Sequence, residues 1–125
     1  MYQTAALKLN DKGHLTTIEG VEEVANLAIQ NLTKLDYPNT TVITGRFDKV
    51  LDALLDPIQK YDLVFIDGHH EEEATQQYFE KIVPHMADNG IVIFDDINWS
   101  KGMQQAWKNL QHHSAVNTSL SLIHI

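Results

Sequence analysis

Short apolar segments alternate with segments of helical periodicity along this chain, and that alternation constrains the fold more than any other feature. Strands are predicted where β-branched or apolar residues cluster, at residues 14–18, 40–44, 63–66, 91–94 and 120–125. Helices are predicted where apolar residues recur every three or four positions, at residues 21–35, 48–59, 74–83 and 100–110. Alternating strands and helices are typical of α/β proteins, so we expect a mostly parallel sheet with helices on both faces.

Two of the predicted strands are apolar at every position. Residues 63–66 read Leu-Val-Phe-Ile, and residues 91–94 read Ile-Val-Ile-Phe. A strand that is covered on both faces has this composition, whereas a half-exposed strand alternates apolar and polar residues. We therefore expect both strands to be buried on both faces. A turn is predicted at Asp88-Asn89-Gly90, and Ser100 is expected to cap the last helix.

Length, charge and composition narrow the class of protein. A chain of 125 residues is long enough for one domain, and we expect a single domain over residues 1–125. Nine Lys and Arg against 17 Asp and Glu give a net charge of −8, which argues against binding nucleic acid through its phosphates. Cysteine is absent, which excludes disulfides and thiolate chemistry, and no apolar run approaches ~18 residues. We expect a cytoplasmic domain with no nucleic-acid or membrane partner.

Acidic residues follow most of the predicted strands at their carboxyl ends, which is where open α/β sheets bind ligands. Glu19-Gly20 follows the first strand, and Arg46-Phe47 comes just after the second. The Glu19 carboxylate can accept hydrogen bonds from the vicinal hydroxyls of a ribose. It can equally stabilise the start of the next helix, because an acid there suits the helix dipole.

Three further carboxylates follow the two apolar strands. Asp67 comes after the first of them, and Asp95 and Asp96 after the second. Three acids at one sheet edge repel each other unless a cation lies between them, and oxygen ligands suit a hard cation such as Mg²⁺. The alternative is that Asp67 begins a turn and Asp96 caps a loop. His70 is a candidate general base, with His69 as its rival, although a surface role for both is open.

The two strand motifs together identify a family. The stretch Tyr61-Asp-Leu-Val-Phe-Ile-Asp-Gly-His-His70, followed by Asn89-Gly-Ile-Val-Ile-Phe-Asp-Asp96, resembles class I S-adenosylmethionine-dependent methyltransferases. The likeness is strongest to the O-methyltransferase branch, with its Asp-Gly-x-His and Asp-Asp motifs. Gly13-His-Leu-Thr-Thr-Ile-Glu-Gly20 resembles the second strand of that family with its ribose acid. The resemblance covers residues 14–110 and implies a Rossmann-like fold.

The resemblance also implies roles for individual residues. Glu19, with Gly20, would bind the ribose of S-adenosylmethionine, and Phe47 or Arg46 would contact its adenine. The acids would bind a divalent metal that positions a substrate hydroxyl, and they are Asp67, Asp95 and Asp96. Asp67 and His70 would be catalytic, with His70 acting as a metal ligand or as a base.

Two functions from different classes follow. The first is metal-assisted methylation of an oxygen on a small molecule, and the second is a non-catalytic methyltransferase remnant that acts in assembly or binding. Another nucleoside-binding α/β enzyme is a third possibility, weakened because no dinucleotide glycine motif is present. The family's first strand and Gly-x-Gly loop would precede Thr4, and its last strands would continue beyond Ile125, so we expect a domain truncated at both ends. Because a missing strand leaves sheet edges open, we also expect a homodimer or larger assembly.

Overall fold

The computed structural model describes residues 1–122, which form two compact units with the boundary between Leu54 and Leu55. The first unit contains α1 (Tyr2–Leu9), β1 (Leu15–Glu19), α2 (Glu22–Lys34), β2 (Thr40–Thr44) and α3 (Phe47–Leu54). The second contains β3 (Tyr61–Ile66), α4 (Glu72–Ile82), a 3₁₀ turn (Val83–His85), β4 (Met86–Phe94) and α5 (Lys101–Gln111). Helices and strands alternate, which confirms the predicted α/β class. That the two units act as one domain stays a prediction.

The first unit is built on a parallel pair of strands. β1 and β2 run in register from Leu15 opposite Thr40 to Glu19 opposite Thr44. The α2 helix buries Ala25 and Leu32, the apolar positions that its helical period brings to one side. The α1 helix is fixed through Thr4, a buried residue whose hydroxyl hydrogen bonds to the Asn39 and Thr40 side chains at the start of β2.

The second unit is also built on a parallel pair. β3 and β4 align from Leu63 opposite Ile91 to Ile66 opposite Phe94. One face of this pair packs against α4 and α5, where Phe94 contacts Phe79 of α4 at a ring-centroid distance of 6.0 Å. The core side chains of the two helices are Tyr78, Phe79, Ile82, Met103, Ala106 and Leu110. Ser100 caps α5 as predicted, because its Oγ accepts a hydrogen bond from the Met103 N–H at 3.1 Å.

The opposite face of the same pair is uncovered, so the expectation that both strands are buried on both faces is wrong for the described residues. Leu63, Phe65, Ile91 and Ile93 are 42% to 58% exposed. Side chains alternate between the two faces of a strand, and α4 and α5 pack against the set that includes Ile66 and Phe94. We call the four exposed side chains the apolar sheet face.

Three predicted segments differ from the structure by more than two residues. The predicted turn at Asp88-Asn89-Gly90 lies inside β4, where Asn89 adopts a left-handed backbone with φ of 62°. The α3 helix ends at Leu54 instead of residue 59, and Asp56 there accepts a side-chain hydrogen bond from the Ile58 N–H. No strand forms at residues 120–122, and the rest of the strand predicted at 120–125 lies outside the described residues.

Within residues 1–122, none of the helices is long and apolar enough to cross a membrane.

Candidate functional site

The residues expected to bind the cofactor lie at one end of the first strand pair. Glu19 is the last residue of β1 and is paired with Thr44, the last residue of β2. The Gly45 N–H donates to the Glu19 carbonyl at 2.9 Å, which extends the ladder by one bond. Arg46 and Phe47 follow Gly45 directly. The loops after β1 and after β2 therefore begin at the same end of the strand pair.

The Glu19 side chain is fixed by the backbone that follows it. Its Oε1 accepts a hydrogen bond from the Val21 N–H at 2.9 Å, immediately before α2 begins. This is the helix-start interaction that the sequence offered as one alternative. A carboxylate has a second oxygen with two acceptor sites, so the bond to Val21 is compatible with ribose binding through Oε2.

Arg46 is occupied by an acid two residues away. Its Nε donates to Asp48 Oδ1 at 3.0 Å, and Lys49 Nζ lies 3.5 Å from Asp48 Oδ2. The Arg46 guanidinium, assisted by Lys49, holds the pKa of the Asp48 carboxyl below its ordinary value. Phe47 is half-buried as the first residue of α3. Of the two alternatives for an adenine contact, Phe47 is the one that offers an aromatic ring.

The remaining predicted residues lie at the same end of the second strand pair. Ile66 and Phe94 are paired, and the Asp95 N–H donates to the Ile66 carbonyl at 3.0 Å. Asp67 follows β3, while Asp95 and Asp96 follow β4. The register of the pair therefore brings Asp67 and Asp96 close together, although they are far apart in the sequence.

His70 lies between these two acids. Its Nε2 is 3.6 Å from Asp67 Oδ1 and 3.6 Å from Asp96 Oδ2, and the indole ring of Trp99 lies 6.1 Å from the imidazole ring. Both distances are too long for hydrogen bonds, and Nε2 is buried without a hydrogen-bond partner. An imidazole is a side chain that can accept a proton from a bound molecule, so His70 remains the candidate general base of this cluster.

The three acids expected to bind a metal do not form a metal centre in the described part of the chain. Among residues 1–122, His, Asp and Glu side chains form no group of three or more that could hold a metal ion. The Asp95 carboxylate is oriented by the backbone, since its Oδ1 accepts a hydrogen bond from the Asp96 N–H at 2.8 Å. The His70 imidazole lies beside Asp67 and Asp96. Within the described residues, the three carboxylates therefore do not form the ligand group that the resemblance implies.

One contact of this cluster is not apparent from the sequence. Tyr78 of α4 shares a hydrogen bond with His69, with 2.6 Å between its hydroxyl oxygen and Nδ1. The helical period places Tyr78 on the buried side of α4, but only the folded loop shows which polar group meets its hydroxyl.

Comparison with known proteins identifies the family. A family profile described as "Methyltransferase domain" matches residues 1–97, which is more than three quarters of the 125-residue chain. The matched region contains every residue that the sequence analysis assigned to a site. A search of curated proteins finds no match. Because the matched region covers both strand pairs and the acids that follow them, this chain belongs to the methyltransferase domain family.

Proposed function

We propose that the protein transfers a methyl group from S-adenosylmethionine to an oxygen atom of a small molecule. The observation that carries this proposal is the position of His70, whose buried Nε2 lies between the carboxylates of Asp67 and Asp96. Membership of the methyltransferase domain family supports the reaction class.

The cofactor residues of the proposal belong to the first unit. Glu19 is held by the Val21 N–H and would accept hydrogen bonds from the ribose through its second oxygen. Phe47 would offer an apolar surface to the adenine ring. The net charge of −8 suits a cationic sulfonium more than it suits an anionic ligand.

In this reaction the substrate oxygen attacks the sulfonium methyl carbon in line, so the new C–O bond forms as the C–S bond breaks. The electron pair of the broken bond stays on sulfur, which leaves a neutral thioether. The substrate hydroxyl must lose its proton, and the His70 imidazole, whose side chain is 28% exposed, is the group that would accept it.

Metal assistance, which the resemblance implied, is not included in this mechanism. Among residues 1–122, no group of three or more His, Asp and Glu side chains could hold a metal ion. Whether Mg²⁺ or another divalent cation binds is therefore a question for the same experiment that tests the cofactor.

Thermal unfolding with S-adenosylhomocysteine tests the proposal. Ligand at ~100 times its dissociation constant stabilises a protein by about 2.7 kcal/mol. At an unfolding entropy of about 2.1 cal/mol/K per residue, a chain of 125 residues gains about 4 °C in Tm per kcal/mol, so a rise of about 10 °C is expected. NAD and ATP at the same concentration are the controls for general nucleoside binding, and each ligand is measured with and without Mg²⁺.

The outcomes separate the functions considered from the sequence. A rise with S-adenosylhomocysteine and none with the controls supports the methyltransferase. An equal rise with NAD or ATP favours another nucleoside-binding enzyme. No rise at millimolar S-adenosylhomocysteine contradicts the proposal and favours the non-catalytic remnant.

A further inference from the structure

The loop that carries His70 is attached to α4 by a buried tyrosine. Tyr78 is 5% exposed, and its hydroxyl lies 2.6 Å from His69 Nδ1, with 5.9 Å between the two ring centroids. A buried hydroxyl needs a hydrogen-bond partner, so this contact fixes the His69 ring against the helix. Glu71 Oε2 lies 3.7 Å from the other ring nitrogen of His69, on the exposed side.

The backbone at His69 explains why fixing that ring matters. His69 has a φ of 63°, a left-handed conformation that is uncommon for residues other than glycine. The left-handed residue lies between Asp67 and His70, and His70 Nε2 ends 3.6 Å from Asp67 Oδ1. An unfavourable backbone conformation persists where surrounding contacts hold it, and the bond to Tyr78 is such a contact.

We propose that Tyr78 is a positioning residue, which holds the Asp67–His70 loop in its left-handed turn through His69 and so keeps His70 between Asp67 and Asp96. The role of His70 in methyl transfer rests on the proposed function. The placement of the imidazole is a separate property, and it can be measured whether or not the chain is an enzyme.

Tyr78→Phe removes the hydroxyl and keeps the ring in the core. NMR of the full chain then reports the His70 ring resonances and the amide chemical shifts of residues 68–70. We expect both the His70 ring signals and the loop amide signals to shift, because the loop loses its contact with α4. His69→Asn tolerates the left-handed backbone but removes the ring, so it should produce the same changes, with no further change in the double variant.

Thr75→Val is the matched control. Thr75 is a buried residue of the same helix whose hydroxyl donates to Met103 Sδ at 3.3 Å and not to the loop. Its loss should lower Tm and leave the His70 ring signals and the loop amide signals unchanged. Unchanged His70 signals in Tyr78→Phe, or equal changes in Thr75→Val, would overturn the proposal. Failure of the wild-type chain to bind S-adenosylhomocysteine would contradict the proposed function alone, because the NMR comparison needs no ligand.

Discussion

Glu19 has two possible roles, and a single substitution separates them. In Glu19→Gln the amide oxygen can still accept the hydrogen bond from the Val21 N–H, which is 2.9 Å long in the structure. The other end of the side chain becomes an NH₂ group, which donates hydrogen bonds and cannot accept them from ribose hydroxyls. Glu19→Ala removes both functions.

The size of each effect follows from the bonds that are lost. A hydrogen bond to a charged group contributes about 1.5–3 kcal/mol, so losing even one ribose contact in Glu19→Gln should weaken binding of S-adenosylhomocysteine about tenfold or more. The bond to Val21 joins a backbone amide near the surface and contributes about 0.5–1.5 kcal/mol to folding. That contribution is lost only in Glu19→Ala, where Tm should fall by about 2–6 °C.

Isothermal titration calorimetry with S-adenosylhomocysteine and thermal unfolding measure the two effects separately. We expect the Gln variant to bind weakly and to unfold at the wild-type temperature, while the Ala variant is affected in both. If the Gln variant binds as tightly as the wild type, the carboxylate serves only the start of α2, and Glu19 must be removed from the cofactor site.

Three further predictions concern stability, charge and assembly. Ser100→Ala removes the acceptor for the Met103 N–H, so the free energy of unfolding should fall by about 1 kcal/mol, which calorimetry would show as a fall in Tm of about 4 °C. The control is the same substitution at the exposed Ser114, which should leave Tm unchanged. Equal Tm values for the two variants would exclude the cap. Arg46→Gln should raise the pKa of Asp48 towards its ordinary value in an NMR titration. The pKa of Asp48 is lower in the folded chain than in the unfolded chain, where it is about 3.9. Asp48 therefore stabilises the fold at pH values above about 3.9, and this stabilisation is lost as the pH falls through the folded pKa. An unchanged titration of Asp48 in the variant would contradict its pairing with Arg46. We also predict a homodimer or larger assembly, because the apolar sheet face is exposed. Light scattering during size-exclusion chromatography should give a molar mass of at least twice 14.2 kDa. A uniform species of 14.2 kDa would refute this prediction.

The fold was predictable where local chemistry decides it. The β2 strand agrees with the prediction to the residue, because a β-branched run is bounded by Pro38 and Gly45. The cap at Ser100 likewise depends on neighbouring backbone alone. Burial is different, because Leu63 and Phe65 have the composition of covered residues, yet their exposure depends on which elements pack against them.

The candidate site was predictable in its members more than in its geometry. Asp67 and His70 are close in the sequence, so their proximity could be expected from spacing. The approach of Asp96 depends on how β3 and β4 are aligned, and the contact of His69 with Tyr78 depends on how α4 packs. No local sequence motif specifies either the strand alignment or the packing of α4. Both determine how His70, the proposed proton acceptor, is oriented.

In each strand pair the two strands end at residues that are paired with each other, and this limits how the protein can change during evolution. Glu19 ends level with Thr44, and Ile66 ends level with Phe94. The β4 strand already holds extra residues between Met86 and Ile91 at an irregularity of the pairing. Inserting one residue in the aligned stretch after Ile91 would instead move everything after it by about 3.3 Å along the sheet and turn each following side chain to the other face. A new specificity would therefore arise by exchanging residues, or by lengthening the loops beyond the strand ends, while the aligned stretches of the strands keep their length.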